Sequence, residues 1–176
     1  MTLALRLAVE ADLPALKRLM DRAIDTLLLP WLDADQVRAS HAIMGLDTQL
    51  IADRTYFVVT AGEAFAGCGG WSRRATLYGG DHSTDLREPR LLDPQTESAR
   101  VRAMYTAPDF VRRGVGRMIL HACEAAARTE GFGGAELTAT MAGEPLYSAA
   151  GYHEVEHITD APGGAPVPLI RMRKSL

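Results

Sequence analysis

The chain has 176 residues and a formal net charge of −3, enough to bury a real core and suited to a single domain over 1–176. Apolar residues make up 47% and charged residues 23%, which excludes a disordered or fibrous chain and fits a soluble globular one. The slight acidity argues against a nucleic-acid partner, which calls for a basic excess or stripe.

The first stretch, LALRLAV (3–9), reads as a strand. Asp12 can cap a helix and Pro14 falls in its first turn, where proline is tolerated. Leu16, Leu19, Met20, Ala23, Ile24 and Leu27 then recur at helical spacing. Pro30 breaks that run, and a second helix is expected from Asp33 or Asp35 to about Met44. TYFVVTAGEAFAGCGGWSR (55–73) reads as a hairpin, with strands Tyr56–Thr60 and Ala64–Ser72 about the turn Ala61-Gly62-Glu63. Residues 74–98 are polar and rich in Gly, Pro and Asp, a loop long enough to be functional or mobile. ARVRAMYTA (99–107) is a fourth strand, ended by Pro108. A helix follows from about Gly114 to Thr129, then a strand at 135–140, a short helix within 143–152 and two last strands, HEVEHIT and VPLIRMRK. The order is β-α-α-β-β-β-α-β-α-β-β. A strand–helix–strand unit makes strands 4 and 5 parallel, while the hairpins are antiparallel. The fold class is therefore α/β of the α+β type, with a mixed sheet that is neither doubly wound nor a barrel.

Cys68 and Cys123 are the only cysteines. They form no metal-ligand pattern, so no metal is expected. They read as buried, reduced thiols of a cytoplasmic protein. The opening MTLALRLAVEADLPAL is broken by Arg6, Glu10 and Asp12 and lacks the apolar centre of a signal peptide. No run approaches the ~20 apolar residues of a membrane span, so no membrane partner is expected.

DFVRRGVGRMIL (109–120) places two glycines and three arginines at the start of an apolar helix. Such a turn is an anion site, because its N–H groups point outward and the helix dipole adds positive character. It is not a dinucleotide fingerprint, since Ile119 stands where the third glycine belongs. It is not a phosphate loop of the Gly-Lys-Ser/Thr kind either. A plain turn without a ligand remains open on these residues alone.

APDFVRRGVGRMIL followed by EPLYSAAGY resembles the GNAT superfamily of N-acetyltransferases, and TYFVV…AGCGGWSRR…TLYGGD resembles the same superfamily. The resemblance spans essentially the whole chain and is strongest over 99–152. It implies a GNAT-like, mostly antiparallel seven-stranded sheet with parallel strands 4 and 5 splayed, flanked by about four helices. It also implies an acyltransferase that moves an acetyl group from acetyl-CoA, as co-substrate, to a small-molecule or peptide amine, and a homodimer. The pyrophosphate of coenzyme A would sit on the N–H groups from Val111 through Arg117, that is Val111, Arg112, Arg113, Gly114, Val115, Gly116 and Arg117. Arg112, Arg113 and Arg117 either pair with phosphate oxygens or are solvated. One departure is Val111, where the family's motif begins with Gln or Arg.

The same resemblance assigns the oxyanion donor to a backbone N–H among Met104, Tyr105 and Thr106, and the acid that protonates the leaving thiolate to Tyr147. The family's strand carboxylate is missing, because Arg100 and Arg102 occupy its places. Glu97 and His82, with Asp81 beside it, are the candidate bases; a water chain or an amine arriving neutral is the alternative. Arg100 and Arg102, two apart on one strand face, could hold a substrate carboxylate or form internal ion pairs with the 81–97 loop. Trp31 and Trp71 are candidate acceptor-site aromatics or core residues. Glu144 reads as a helix cap or an amine contact, and Tyr152 as sheet packing. His121 and Cys123 read as helix packing or surface. A CoA-binding regulatory or sensor protein with little turnover is the rival reading.

Overall fold

Strand formation follows the period-2 and buried apolar runs of the sequence, and helices follow the 3.6-residue ones. In the computed structural model, which describes residues 1–176, the first half holds β1 (Leu3–Leu7), α1 (Leu13–Leu27), α2 (Ala34–Ser40), α3 (Thr48–Ala52), β2 (Tyr56–Ala61) and β3 (Ala64–Ser72). The second half holds β4 (Ala99–Thr106), α4 (Val115–Thr129), β5 (Gly134–Thr140), α5 (Glu144–Ala149), β6 (His153–Asp160) and β7 (Val167–Ser175). No helix is long and apolar enough to cross a membrane.

The strands form one seven-stranded sheet in the order β1-β2-β3-β4-β5-β7-β6. Only β4 and β5 run parallel, as the sequence order requires. Helices α1 to α3 cover one face, where Leu16, Met20, Ile24 and Leu50 pack on Tyr56, Val58 and Cys68. Helices α4 and α5 cover the other, where Val115, Ile119 and Tyr147 pack near Trp71, Val101 and Leu137. Each fully buried side chain of this size contributes about 1.5–3 kcal/mol of transfer free energy.

Three local expectations are corrected. Asp12 does not cap α1 with its side chain. Its carboxylate instead accepts Nη1–H and Nη2–H of Arg6, at 2.7 and 2.9 Å, and the N–H of Val9 at 2.9 Å. Helix α2 is capped at Asp33, reciprocally with Gln36, but it ends at Ser40 rather than Met44, continuing only as tight turns. The sheet is flanked by five helices rather than about four, the additional one being α3; Asp47 caps it by accepting the N–H of Gln49 at 3.0 Å.

The centre of the sheet is irregular in a way that positions everything else. Gly70 pairs with Arg102 and Cys68 with Tyr105, so Gly69 alone faces both Ala103 and Met104. This is a β-bulge, which bends its strand. Ala103 has a left-handed φ of 51°, a cost of roughly 1–2 kcal/mol for a residue with a Cβ. The Tyr56 hydroxyl holds it by donating to the Ala103 carbonyl at 2.7 Å. The β4–β5 ladder consequently contains only Ala99↔Ala135 and Arg100↔Glu136. Beyond Arg100 the two strands part.

The 74–98 loop doubles back on itself. Ala75 N–H donates to Arg90 O and Thr76 N–H to Glu88 O, and Arg74 bridges to Leu91. Its stretch from Leu77 to Gly79 reaches the gap between β4 and β5.

Candidate active site

Two cavities meet where β4 and β5 part. The larger is a groove of about 660 Å³ that runs from the turn before α4 to the splay. The smaller, of about 100 Å³, lies on the other side, under Leu77, Tyr78 and Gly79. Met44, Met104, Tyr105, Thr140, Gly143 and Tyr147 line both.

The turn before α4 leaves its donors bare. Phe110 N–H donates to Ala107 O and Met118 N–H to Gly114 O, but from Val111 through Arg117 no backbone N–H has a partner. Orphan donors at a helix start are normally capped or bind an anion. Gly114 sits at φ 85°, and a Cβ there would meet nothing within 4 Å, so glycine is needed for its backbone angle. At Gly116 a Cβ would stand 2.9 Å from Leu146 Cδ2. That glycine lets α5 approach α4, a packing reason beside the ligand reason expected from the sequence. Arg112 also has a positive φ, 63°, and together with Gly114 it curls the turn into a concave nest of N–H groups. The Arg112, Arg113 and Arg117 side chains are exposed and form no ion pair with the protein; Arg113 stacks over Phe110 at 5.4 Å.

Tyr147 stands on α5 at the junction of the cavities, only 8% exposed. Its hydroxyl makes no hydrogen bond within the protein. Burial pushes its phenol well above the ordinary tyrosine value, so the proton stays on at neutral pH. Tyr152 packs edge-on against it at 6.0 Å, in the packing role expected of it. Tyr105 accepts the Gly45 N–H at 2.9 Å through its hydroxyl, and Thr106 lines the groove alone.

The other sequence candidates separate. Arg102 lines the small cavity and is 4% exposed. Its Nη2 donates to Asp47 Oδ2 at 2.8 Å and to Gly79 O at 2.7 Å. Burial pulls its guanidinium below the ordinary value and Asp47 pulls it back. Arg100 lies outside both cavities and faces Glu136 at 3.6 Å. Both arginines therefore have internal partners, from the residue that caps α3 and from β5, rather than from the 81–97 loop. Trp31 is 54% exposed and lines the groove beside α1. Trp71 is core, 2% exposed and edge-on to Phe132 at 6.0 Å, so it is not an acceptor-site aromatic.

Neither base candidate reaches the junction. Glu97 lines neither cavity and is held by Arg90 at 2.9 and 3.0 Å and by the Asp93 N–H at 2.8 Å. The Arg90 hydrogen bonds draw its carboxyl down to about 2, which makes it a poor proton acceptor. His82 lines neither cavity; its Nε2 contacts Ala42 O at 3.0 Å. Asp81 instead accepts the Thr48 N–H, and Glu144 accepts the Ser148 hydroxyl. No Asp, Glu or His lines either cavity. The sequence reading missed Asp47, Tyr78 and Thr138. Asp47 alone carried a signal, an Asp-Thr pair of the kind that starts helices.

The comparisons with known proteins agree with this architecture. No curated protein matches the sequence. A GCN5-related N-acetyltransferase from Rhodopseudomonas palustris shares the fold with a TM-score of 0.75 at 18% identity, covering 100% of this chain and 97% of its own. The PaiA N-acetyltransferase of Thermoplasma acidophilum, solved with coenzyme A, gives a TM-score of 0.67 at 12% identity over the full length of both chains. The ribosomal-protein-S18-alanine N-acetyltransferase of Escherichia coli gives 0.62 at 17%, covering 99% and 94%. The family model for the acetyltransferase (GNAT) domain matches residues 52–154, from the end of α3 through the splayed strands, the bare N–H turn and Tyr147 into β6, and the chain belongs to that family.

Proposed function

We propose that the protein transfers an acetyl group from acetyl-CoA to a primary amine of a small molecule or peptide. The observation that carries this reading is the unbroken run of unpartnered N–H groups from Val111 to Arg117, opening on a groove that ends at Tyr147. Those donors and the free Arg112, Arg113 and Arg117 fit a pyrophosphate. Acetyl-CoA supplies the thioester, and the groove between α1 and α5 has room for its pantetheine arm. The solved relative that carries coenzyme A supports this choice of anion.

The residues at the junction then have separable tasks. A backbone N–H in the Met104–Thr106 run faces the carbonyl oxygen and stabilises its developing charge. The neutral amine attacks the carbonyl carbon, the carbon–sulfur bond breaks, Tyr147 gives its proton to the departing thiolate, and the second proton of the nitrogen returns to the Tyr147 phenolate as the amide forms. A buried, unpartnered phenol suits that task because it is protonated and has no competing acceptor. With no carboxylate or imidazole in either cavity, the proton of the ammonium leaves to water before attack. Buried thiols at Cys68 and Cys123 fit a reducing cytoplasm.

The absence of a base also favours a second reading, a CoA-binding sensor with little turnover. Thiol release from acetyl-CoA over a panel of amines separates the two, with Tyr147→Phe alongside. The enzyme reading expects turnover with some amine and a fall in kcat of about 10²-fold or more in the variant, at unchanged Tm, since the hydroxyl bonds to nothing in the protein. CoA binding without thiol release from any amine would leave the sensor.

A further inference from the structure

The small cavity carries polar atoms that the fold does not satisfy. Arg102 Nε and Thr138 Oγ1 are both buried without a hydrogen-bond partner, and both residues line this cavity. Arg171, the residue that Thr138 faces across the β5–β7 ladder, also has an Nε without a hydrogen bond, but that atom lies 3.6 Å from Glu136 Oε1 and is already paired in charge. They stand on one side of the sheet. Val101 and Leu137, the neighbours of Arg102 and Thr138, pack with α4 and α5, so alternation turns Arg102 and Thr138 to the opposite face. Leu169 packs on that face, which places Arg171 there as well. Buried polar groups in native proteins are nearly always paired, so adjacent orphans point to a missing partner.

The unmet valences define that partner. Within the cavity one is a guanidinium N–H donor and the other is a hydroxyl that donates as readily as it accepts. Arg102 spends Nη2 on Asp47 and Gly79, leaving Nε aimed elsewhere. No carboxylate lines the cavity to meet a cation. The volume is about 100 Å³, well above the ~10–15 Å³ that a single water needs. That is enough for a carboxylate and a short stem and too little for a folded peptide segment. Tyr147 and Met104 close its inner end, where the reacting amine must stand.

We propose that the acceptor is a small amino acid, whose carboxylate binds Arg102 Nε and Thr138 Oγ1 while its amine faces the thioester at the junction with the CoA groove. This rests on the acetyl-transfer reading and narrows its substrate class. The carboxylate orients the amine across the splay, and the ion pair to Asp47 holds the guanidinium in place. Acetylation leaves the carboxylate free, so no bond to it forms or breaks.

The test uses the full chain with coenzyme A bound, and titrates a panel of short L-amino acids, each beside its own carboxamide, by calorimetry. At least one acid is expected to bind roughly tenfold or more tighter than its amide, the scale of a charge-assisted hydrogen bond. Thr138→Val, which keeps the shape and removes the hydroxyl, is expected to shrink that ratio several-fold while coenzyme A affinity and Tm hold. Arg102→Lys is expected to shrink it as well; a purely structural role for Arg102 would instead weaken acid and amide alike. Equal binding of acids and amides, or an acid preference untouched in Thr138→Val and Arg102→Lys, overturns the proposal whatever amines turn over. Thiol release with acetyl-CoA is read in parallel. Acid-selective binding without thiol release would sustain this site and refute the acetyl-transfer reading, so the two fail separately.

Discussion

Replacing Asp47 by alanine is the sharpest test of how the small cavity is built. The Asp47 and Arg102 side chains are 2% and 3% exposed, and their contact is 2.8 Å. The two oxygens of Asp47 do different things. Oδ2 accepts from Arg102, and Oδ1 accepts the Gln49 N–H that starts α3. Removing one partner of a buried ion pair costs about 3–5 kcal/mol, because the other charge is left without a counter-ion. Losing the helix cap adds about 1 kcal/mol. Arg87, 3.5 Å from Asp47 but 29% exposed and also near Asp81, contributes little to the balance. The expected loss of about 4–6 kcal/mol is a large share of the ~5–15 kcal/mol by which such domains are stable. For a chain of this size it lowers Tm by roughly 10–20 °C. Urea unfolding and thermal melts measure it. Asp47→Ala combined with Arg102→Met is expected to regain part of the loss, since no charge then stays buried. A loss below about 1 kcal/mol in the single variant, or a double variant no more stable than Asp47→Ala, would refute the view that the cavity wall hangs on this pair.

Gly114→Ala meets no steric obstacle, so its whole effect is the backbone cost at φ 85°, about 1–2 kcal/mol. Calorimetry is expected to show coenzyme A binding weakened by roughly tenfold, because the relaxed turn withdraws donors from the nest. Because neither cavity holds a carboxylate or imidazole, kcat/KM is expected to rise about tenfold per pH unit up to the pKa of the amine itself; a plateau starting near pH 6–7 in steady-state rates would reveal a base within the protein. Acid stability follows from the paired carboxylates. Arg6 lowers Asp12, Arg74 lowers Asp53, and Arg90 lowers Glu97 to about 2. Groups lowered in the folded state stabilise it above their unfolded values near 4 and lose that effect as pH falls through the folded ones. Urea midpoints should therefore drop between about pH 5 and 2, and less steeply in Asp12→Asn.

Much of the molecule was legible because it rests on local pattern. The spacing of Leu16, Leu19, Met20, Ala23 and Ile24 gave the buried face of α1. The two glycines of the 109–120 stretch marked a tight turn at the start of α4, and Gly114 carries the positive φ. What stayed hidden depends on partners distant in sequence. Asp12 looks like a cap until Arg6 competes for it. Trp71 and Trp31 both have a claim on a pocket until Phe132 packs against Trp71. Helix α3 has only five residues, too short for periodicity to show. Glu97 and His82 look like bases only while the path of the 74–98 loop is unknown.

Arg100 and Arg102 show most plainly why the chemistry could not be read from spacing alone. On a regular strand residues two apart share a face and those three apart do not. The bulge at Ala103 and Met104 breaks that rule just past Arg102. Arg102 faces Gly70 and Tyr105 faces Cys68, and since Gly70 and Cys68 are two apart on β3, Arg102 and Tyr105 point the same way although they are three apart in sequence. A strand without the bulge would keep pairing with β5 and would turn Tyr105 away from Arg102. The one extra residue therefore opens the gap between β4 and β5, turns a cation and a phenol into the same cavity, and puts Met104 at the point where both cavities meet. Its hold on the fold is the Tyr56 hydroxyl on Ala103 O, a buried contact across from β2 that no pattern within β4 could have announced.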